Sequence, residues 1–126
     1  MNKPLRNDKD LAELIGLETP QAQRALSWAV YNLMVFDKKQ KDYGPKNISG
    51  NPCPELAVAI RSNDKVQRLM NLLYNNKQAS NESIFDSWSD LANYGLIGML
   101  LNTGEWDSPE EATTLPELGI EYQEIH

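Results

Sequence analysis

A chain of 126 residues is long enough for one compact domain with its own core, and 40% apolar against 24% charged residues is soluble globular composition. No apolar run reaches the roughly 18–20 residues of a membrane span, and the opening MNKPLRNDKD does not read as a signal peptide. A net charge of −6 argues against non-specific binding to a nucleic-acid backbone, although it leaves room for a small anion in a local pocket.

In chain order, Asn7 and Asp8 can cap a short first helix whose apolar positions Leu11, Leu14 and Ile15 keep helical spacing. Gly16 ends it, and Thr19 followed by Pro20 supplies a cap and a first helical residue for a second helix over 20–41. Ala22, Ala25, Leu26, Ala29, Leu33 and Phe36 form its apolar face, with Trp28, Val30 and Met34 widening it. Gly44 and Pro45 stop the helix, and the run GPKNISGNPCP makes a loop of the length that functional connections often have. A third helix is expected over 55–75, with Leu56, Ile60, Val66, Leu69, Leu72 and Leu73 as core candidates.

A fourth helix, capped by Ser80 or Asn81, is expected over 82–101. Its second half, LANYGLIGMLL, is apolar nearly all round, so it should be the most buried helix or an oligomer contact. Trp28, Trp88 and the methionines at helical spacing are expected in the core. After Gly104 periodicity is lost; residues 102–126 hold seven acids and no Lys or Arg, leaving eleven acids against all twelve basic residues in the body. The ending LGIEYQEI alternates weakly, as a strand or an extended arm would. The fold expected is all-α, a bundle of about four helices over 1–104 with an irregular acidic tail over 105–126.

The lone Cys53 excludes an internal disulfide framework and a CxxC metal site, and the lone His126 excludes a Ser/His or Cys/His relay. Any chemistry rests on carboxylates and cations. Two stripes supply them: Arg61, Lys65 and Arg68 on one face of the third helix, and Glu82, Asp86 and Asp90 on one face of the fourth. In an antiparallel hairpin they face each other as Arg61 with Asp90, Lys65 with Asp86 and Arg68 with Glu82. Such a ladder either sets helix register or forms a polar seam. In a seam the cations take phosphate oxygens, and the carboxylates hold Mg²⁺. Asp64 can orient Lys65 or a ribose. In the preceding loop Tyr43 can stack a base, Gly44 allows close backbone approach, Lys46 adds charge and Asn47 can read a base edge; a simple helix cap with a tyrosine lid accounts for the same residues.

The runs DKKQKDYGPKNISG, RSNDKVQRLMNLL and ESIFDSWSDLANYGLIGMLL resemble the phage and bacterial family called nucleotide modification associated domain, type 1. The likeness spans 37–101 and rests on Asp42, Tyr43, Gly44 and Asn47, then Asp64, Lys65 and Arg68, then Glu82, Ser83, Asp86, Asp90, Asn93 and Tyr94. It implies nucleotide handling without fixing a reaction. The acidic helix is also similar to that of the all-α MazG-like pyrophosphohydrolases, which hold Mg²⁺ with acidic pairs on two helices. Here Arg61, Lys65 and Arg68 replace the second pair, which favours anion over metal binding.

The expectation is therefore a phage-type protein that binds a phosphorylated nucleotide, cyclic or linear, through Tyr43, Gly44, Lys46, Asn47, Arg61, Asp64, Lys65 and Arg68, without turnover. It would sequester the nucleotide from host defence in the cytoplasm of an infected bacterium. A Mg²⁺-dependent hydrolase or nucleotide-modifying enzyme using Glu82, Asp86 and Asp90 is the first alternative, and a non-catalytic protein-interaction module the second. No membrane partner is expected. A homo-oligomer is, because the fourth helix carries more apolar surface than a hairpin can cover.

Overall fold

The structure, a computed structural model, describes residues 8–44, 46–80 and 82–112. It is all-α, with four helices and no strand among the described residues: α1 (Asp8–Leu14), α2 (Pro20–Tyr43), α3 (Pro54–Tyr74) and α4 (Ile84–Asn102). The expected caps Asn7 and Asn81, the stop at Pro45 and the possible arm LGIEYQEI lie outside the described residues. None of the described helices is long and apolar enough to cross a membrane.

The described residues divide into two compact units, one ending at Tyr31 and taking in 110–112, the other spanning Asn32–Pro109. In the first, Gly16 turns the chain at φ 74°, a backbone conformation that costs glycine least. Thr19 then caps α2 as expected: its Oγ1 accepts from the Ala22 N–H at 3.2 Å. Gln23 closes the same turn by donating from Nε2 to the Leu17 carbonyl, and Trp28 meets Tyr31 edge to face.

In the second unit α3 and α4 are the main packed pair, with the C-terminal part of α2 bonded to α4. Their ends are tied by Asn102 Nδ2 donating to Glu55 Oε1 at 3.1 Å. Gly44 ends α2 at φ 81°, and Gly104 follows α4 at φ 76°; both stops were expected. The turn beyond Gly104 folds back so that Trp106 meets Phe36 edge on. The loop between α2 and α3 is wound tightly: Gly50 N–H donates to the Lys46 carbonyl, and a Cβ at Gly50 would lie 2.8 Å from that oxygen.

The cap of α4 differs from expectation. Ser83, rather than Ser80, accepts from the Asp86 N–H at 3.0 Å, so the helix starts at Ile84 and Glu82 lies outside it.

The core also differs. The buried apolar side chains of this unit are Ile48, Val58, Leu69 and Leu72, whereas Leu56, Ile60, Val66 and Leu73 of α3 are exposed. Trp28 (57% exposed), Trp88 (52%), Met34, Met70 and Met99 are on the surface rather than in the core. Nor is α4 buried through its apolar residues: its buried side chains are Ser87, Ser89 and Asn93. The reason is geometric. Placing those three polar groups against α2 and α3 turns Trp88, about 100° around the helix from both Ser87 and Ser89, outward, and Phe85 and Met99 flank it on the exposed side.

Candidate functional site

The polar seam begins at Glu82. Held outside α4 by the Ser83 cap, its carboxylate accepts two bonds from Lys65 Nζ, at 2.9 and 3.0 Å. Arg68 donates to the Glu82 carbonyl and, at 2.6 Å, to the hydroxyl of the fully buried Ser87, which donates in turn to Glu82 Oε2 at 3.3 Å. Lys65 reaches on to Asp90 Oδ2 at 3.0 Å, and Lys39 of α2 bonds the other oxygen, Oδ1, at 3.1 Å. One carboxylate thus sits between two ammonium groups from different helices.

The titration behaviour follows. Burial works against the charged form of Asp90, but the neighbouring Glu82 and the ammonium groups of Lys65 and Lys39 outweigh burial and hold the carboxyl below its usual range. For Lys39 the hydrogen bond to Asp90 dominates and raises the pKa. Burial opposes the charge of Lys65, and the bonds to Glu82 and Asp90 overcome it, leaving its pKa raised as well.

The ladder read from spacing is therefore corrected. Only the Arg68–Glu82 rung forms, at 3.8 Å. Lys65 pairs with Glu82 and Asp90 rather than Asp86, and Asp90 takes Lys39 rather than Arg61. Two local causes account for this. The later cap frees Glu82 to fold back on α3, and a third helix contributes a lysine that a two-helix ladder leaves out. Asp86 is exposed in the first turn of α4, where its charge suits the helix dipole. Among the described residues no three of His, Cys, Asp and Glu converge in a way that could hold a metal ion, so Glu82, Asp86 and Asp90 do not form a ligand set.

Beside the seam lies a cavity of about 480 Å³, within the range of about 300–1,000 Å³ usual for small-molecule sites. Phe36, Lys39, Gln40 and Tyr43 line it from α2, at the spacing of one helical face. Asn47 and Ile48 come from the loop, Arg61 from α3, and Asp90, Asn93, Tyr94 and Ile97 from α4. Gln40 fixes the loop by donating from Nε2 to the Gly44 carbonyl at 2.8 Å and to Asn47 Oδ1 at 3.2 Å. Asn32 secures α2 to α4: its Oδ1 accepts from Ser89 Oγ at 2.6 Å and its carbonyl from Asn93 Nδ2 at 3.2 Å.

Of the eight residues expected to bind, Tyr43, Asn47 and Arg61 line this cavity. Gly44 does not line it; it is the helix stop whose carbonyl accepts from Gln40 of the cavity wall. Lys46 and Asp64 are exposed and line no part of it, and Lys65 and Arg68 are committed to the seam. Spacing missed Phe36, Lys39, Gln40, Ile48 and Ile97. The signal that finds the first three is the i, i+3, i+4, i+7 run ending at Tyr43, hidden in a stretch that reads as a charged helix end. Compared with known proteins, the chain matches no family model, and no curated protein or solved structure is found similar to it.

Proposed function

We propose that this chain binds a phosphorylated nucleotide in the cavity between α2, the loop 44–53, α3 and α4, without turning it over. One observation carries the reading: Tyr43 at the end of α2, Asn47 of the loop and Arg61 of α3, each suited to a different part of a nucleotide, line one cavity of ligand size. Tyr43 and Tyr94 offer aromatic faces to a base, where stacking contributes about 1–3 kcal/mol. Arg61 has no acid partner among the described residues, so its guanidinium is available to a phosphate by a two-pronged bond. Asp90, the one carboxylate lining the cavity among the described residues, is bonded to two lysines, which limits its repulsion of an anion.

The use we propose for such binding, following the family resemblance, is sequestration of a host signalling nucleotide during phage infection, a role that needs affinity and not turnover. We also propose a homo-oligomer. The observation favouring it is the exposed apolar surface of α3 and α4, where Met70, Leu73, Tyr74 and Trp88 line a groove of about 730 Å³.

Thermal shift against linear and cyclic nucleotides, each with Mg²⁺ and with EDTA, tests the binding. Ligand at a hundred times its Kd adds about 2.7 kcal/mol, several degrees of Tm. The expected result is a shift that survives EDTA, with the nucleotide recovered intact. Arg61→Ala should weaken binding about tenfold or more, at nearly unchanged stability because Arg61 is exposed. A shift that needs Mg²⁺, with the nucleotide consumed, would replace this reading with a hydrolase. No shift with any nucleotide would leave an interaction module.

A further inference from the structure

Lys39 is a cavity residue whose binding capacity the polar seam does not exhaust. Its ammonium group carries three N–H donors, and among the described residues it makes one hydrogen bond, to Asp90 Oδ1 at 3.1 Å. Its side chain is 53% exposed, against 17% for Asp90. Asp90 does not depend on Lys39 alone, because Lys65 holds its other oxygen at 3.0 Å. Lys39 can therefore share its charge with a bound anion while the more enclosed carboxylate stays paired. The bond to Asp90 also keeps Lys39 charged, its pKa raised above the ordinary lysine value.

Arg61 supplies a second cation. It lines the same cavity from α3, and no acid pairs with it among the described residues. It precedes Lys65 by four residues, so it stands on the same face of α3, about 5.4 Å along the axis from the lysine that holds Asp90. Lys39 and Arg61 thus flank Asp90 from two helices. A single phosphate group can accept from the ammonium as a point charge and from the guanidinium by two parallel bonds. Among the described residues no third cation lines the cavity: Lys65 and Arg68 are held in the seam, and Lys46 lies outside the lining. Further phosphates would bring negative charge toward Asp90 without a matching cation.

Resting on the nucleotide reading, we infer that Lys39 and Arg61 together hold one phosphate group, and that the ligand class is nucleotides with a single phosphate. Lys39 is then a binding residue as well as a member of the ion-pair seam.

The experiment is calorimetric titration of the full chain at one ionic strength. The probes are AMP, CMP, GMP and UMP, their 3′,5′-cyclic forms and their triphosphates, each beside its nucleoside. At least one nucleotide with a single phosphate should bind about tenfold or more tighter than its nucleoside. Its triphosphate should gain no more than about threefold over it. In Lys39→Met that nucleotide should lose about fivefold or more, while its nucleoside changes by less than about twofold. Lys41→Met removes the same charge from the same helix, at a residue that pairs with Asp37 and lies outside the cavity lining. It should change neither ligand by more than about twofold. If Lys39→Met does not fold, the ¹³Cε resonance of Lys39 in the unaltered chain decides. It should move with the nucleotide and stay in place with the nucleoside.

Four results would each overturn the inference while leaving nucleotide binding intact: an unchanged nucleotide affinity in Lys39→Met, a loss that Lys41→Met or the nucleoside matches, an unmoved ¹³Cε resonance, or a triphosphate bound more tightly than expected. Absence of binding by every nucleotide would overturn the nucleotide reading itself, and this inference with it.

Discussion

The two faces of α4 are reversed relative to an ordinary amphipathic helix. Its inner face buries Ser87, Ser89 and Asn93, and its outer face exposes Phe85, Trp88 and Met99. The inner face holds through polar contacts: Arg68 on Ser87, Asn32 on Ser89 and on the Asn93 amide nitrogen, and two lysines on Asp90. The outer face, with Trp88 beside Met70 and Tyr74 of α3, borders an open apolar groove. The contrast teaches that in this unit polar bonds fix the arrangement of the helices, and that much of the sequence's hydrophobicity is free for another surface.

The strongest way to break the comparison is to remove what little apolar core the α3–α4 pair has. Leu69 is 3% exposed, and Leu69→Ala should cost about 2–5 kcal/mol, read as a lower midpoint in urea at an unchanged slope. A loss below 1 kcal/mol would mean that the polar seam alone holds the unit.

The seam itself comes next. Asp90→Asn leaves Lys39 and Lys65 facing each other without their shared anion and should cost about 2 kcal/mol at neutral pH. Since the folded state holds the Asp90 carboxyl below its usual range, its contribution is complete above the ordinary carboxylate range and is lost as pH falls through the depressed value. The raised values of Lys39 and Lys65 act in the opposite direction: their contribution is present below the ordinary lysine range and is lost as pH rises through the raised values. The difference in stability between the unaltered chain and Asp90→Asn should therefore shrink on acidification and persist across neutral pH, as urea midpoints at several pH values will read. A difference that grows toward acid would contradict the ion-pair account.

The smallest effect on folding is expected on the outer face. Trp88 is half exposed, and Trp88→Ser should change the stability of the isolated chain by no more than about 0.5 kcal/mol. Its effect should appear in assembly instead. Light scattering of the unaltered chain should give a mass above the 14.3 kDa of one copy, and the variant should shift toward that value. A monomer before substitution would remove the proposed oligomer and leave the groove as surface.

How far the sequence speaks differs between fold and site. Thr19–Pro20, Gly44, Pro54 and Gly104 mark element ends through backbone chemistry that acts locally, and the helices begin or end beside them as expected. The start of α4 lies two residues beyond the expected one because Ser80 and Ser83 both have capping chemistry, and it is Ser83 that accepts from the Asp86 N–H. For the site, Tyr43, Asn47 and Arg61 were legible by chemical type and line the cavity. Lys39 and Gln40 were not, because their roles depend on Asp90 of α4 and on the loop, contacts that no spacing within α2 records.

By itself, then, the sequence determined the helices, their breaks and the supply of cations and carboxylates, since capping, turn and periodicity preferences are set by neighbouring residues. The tertiary structure alone decided which face of α4 turns inward and that Lys39 rather than Arg61 neutralises Asp90. Those outcomes depend on the relative rotation and register of helices. A turn of one helix by a third of its circumference exchanges its polar and apolar faces without altering the local preferences that form it.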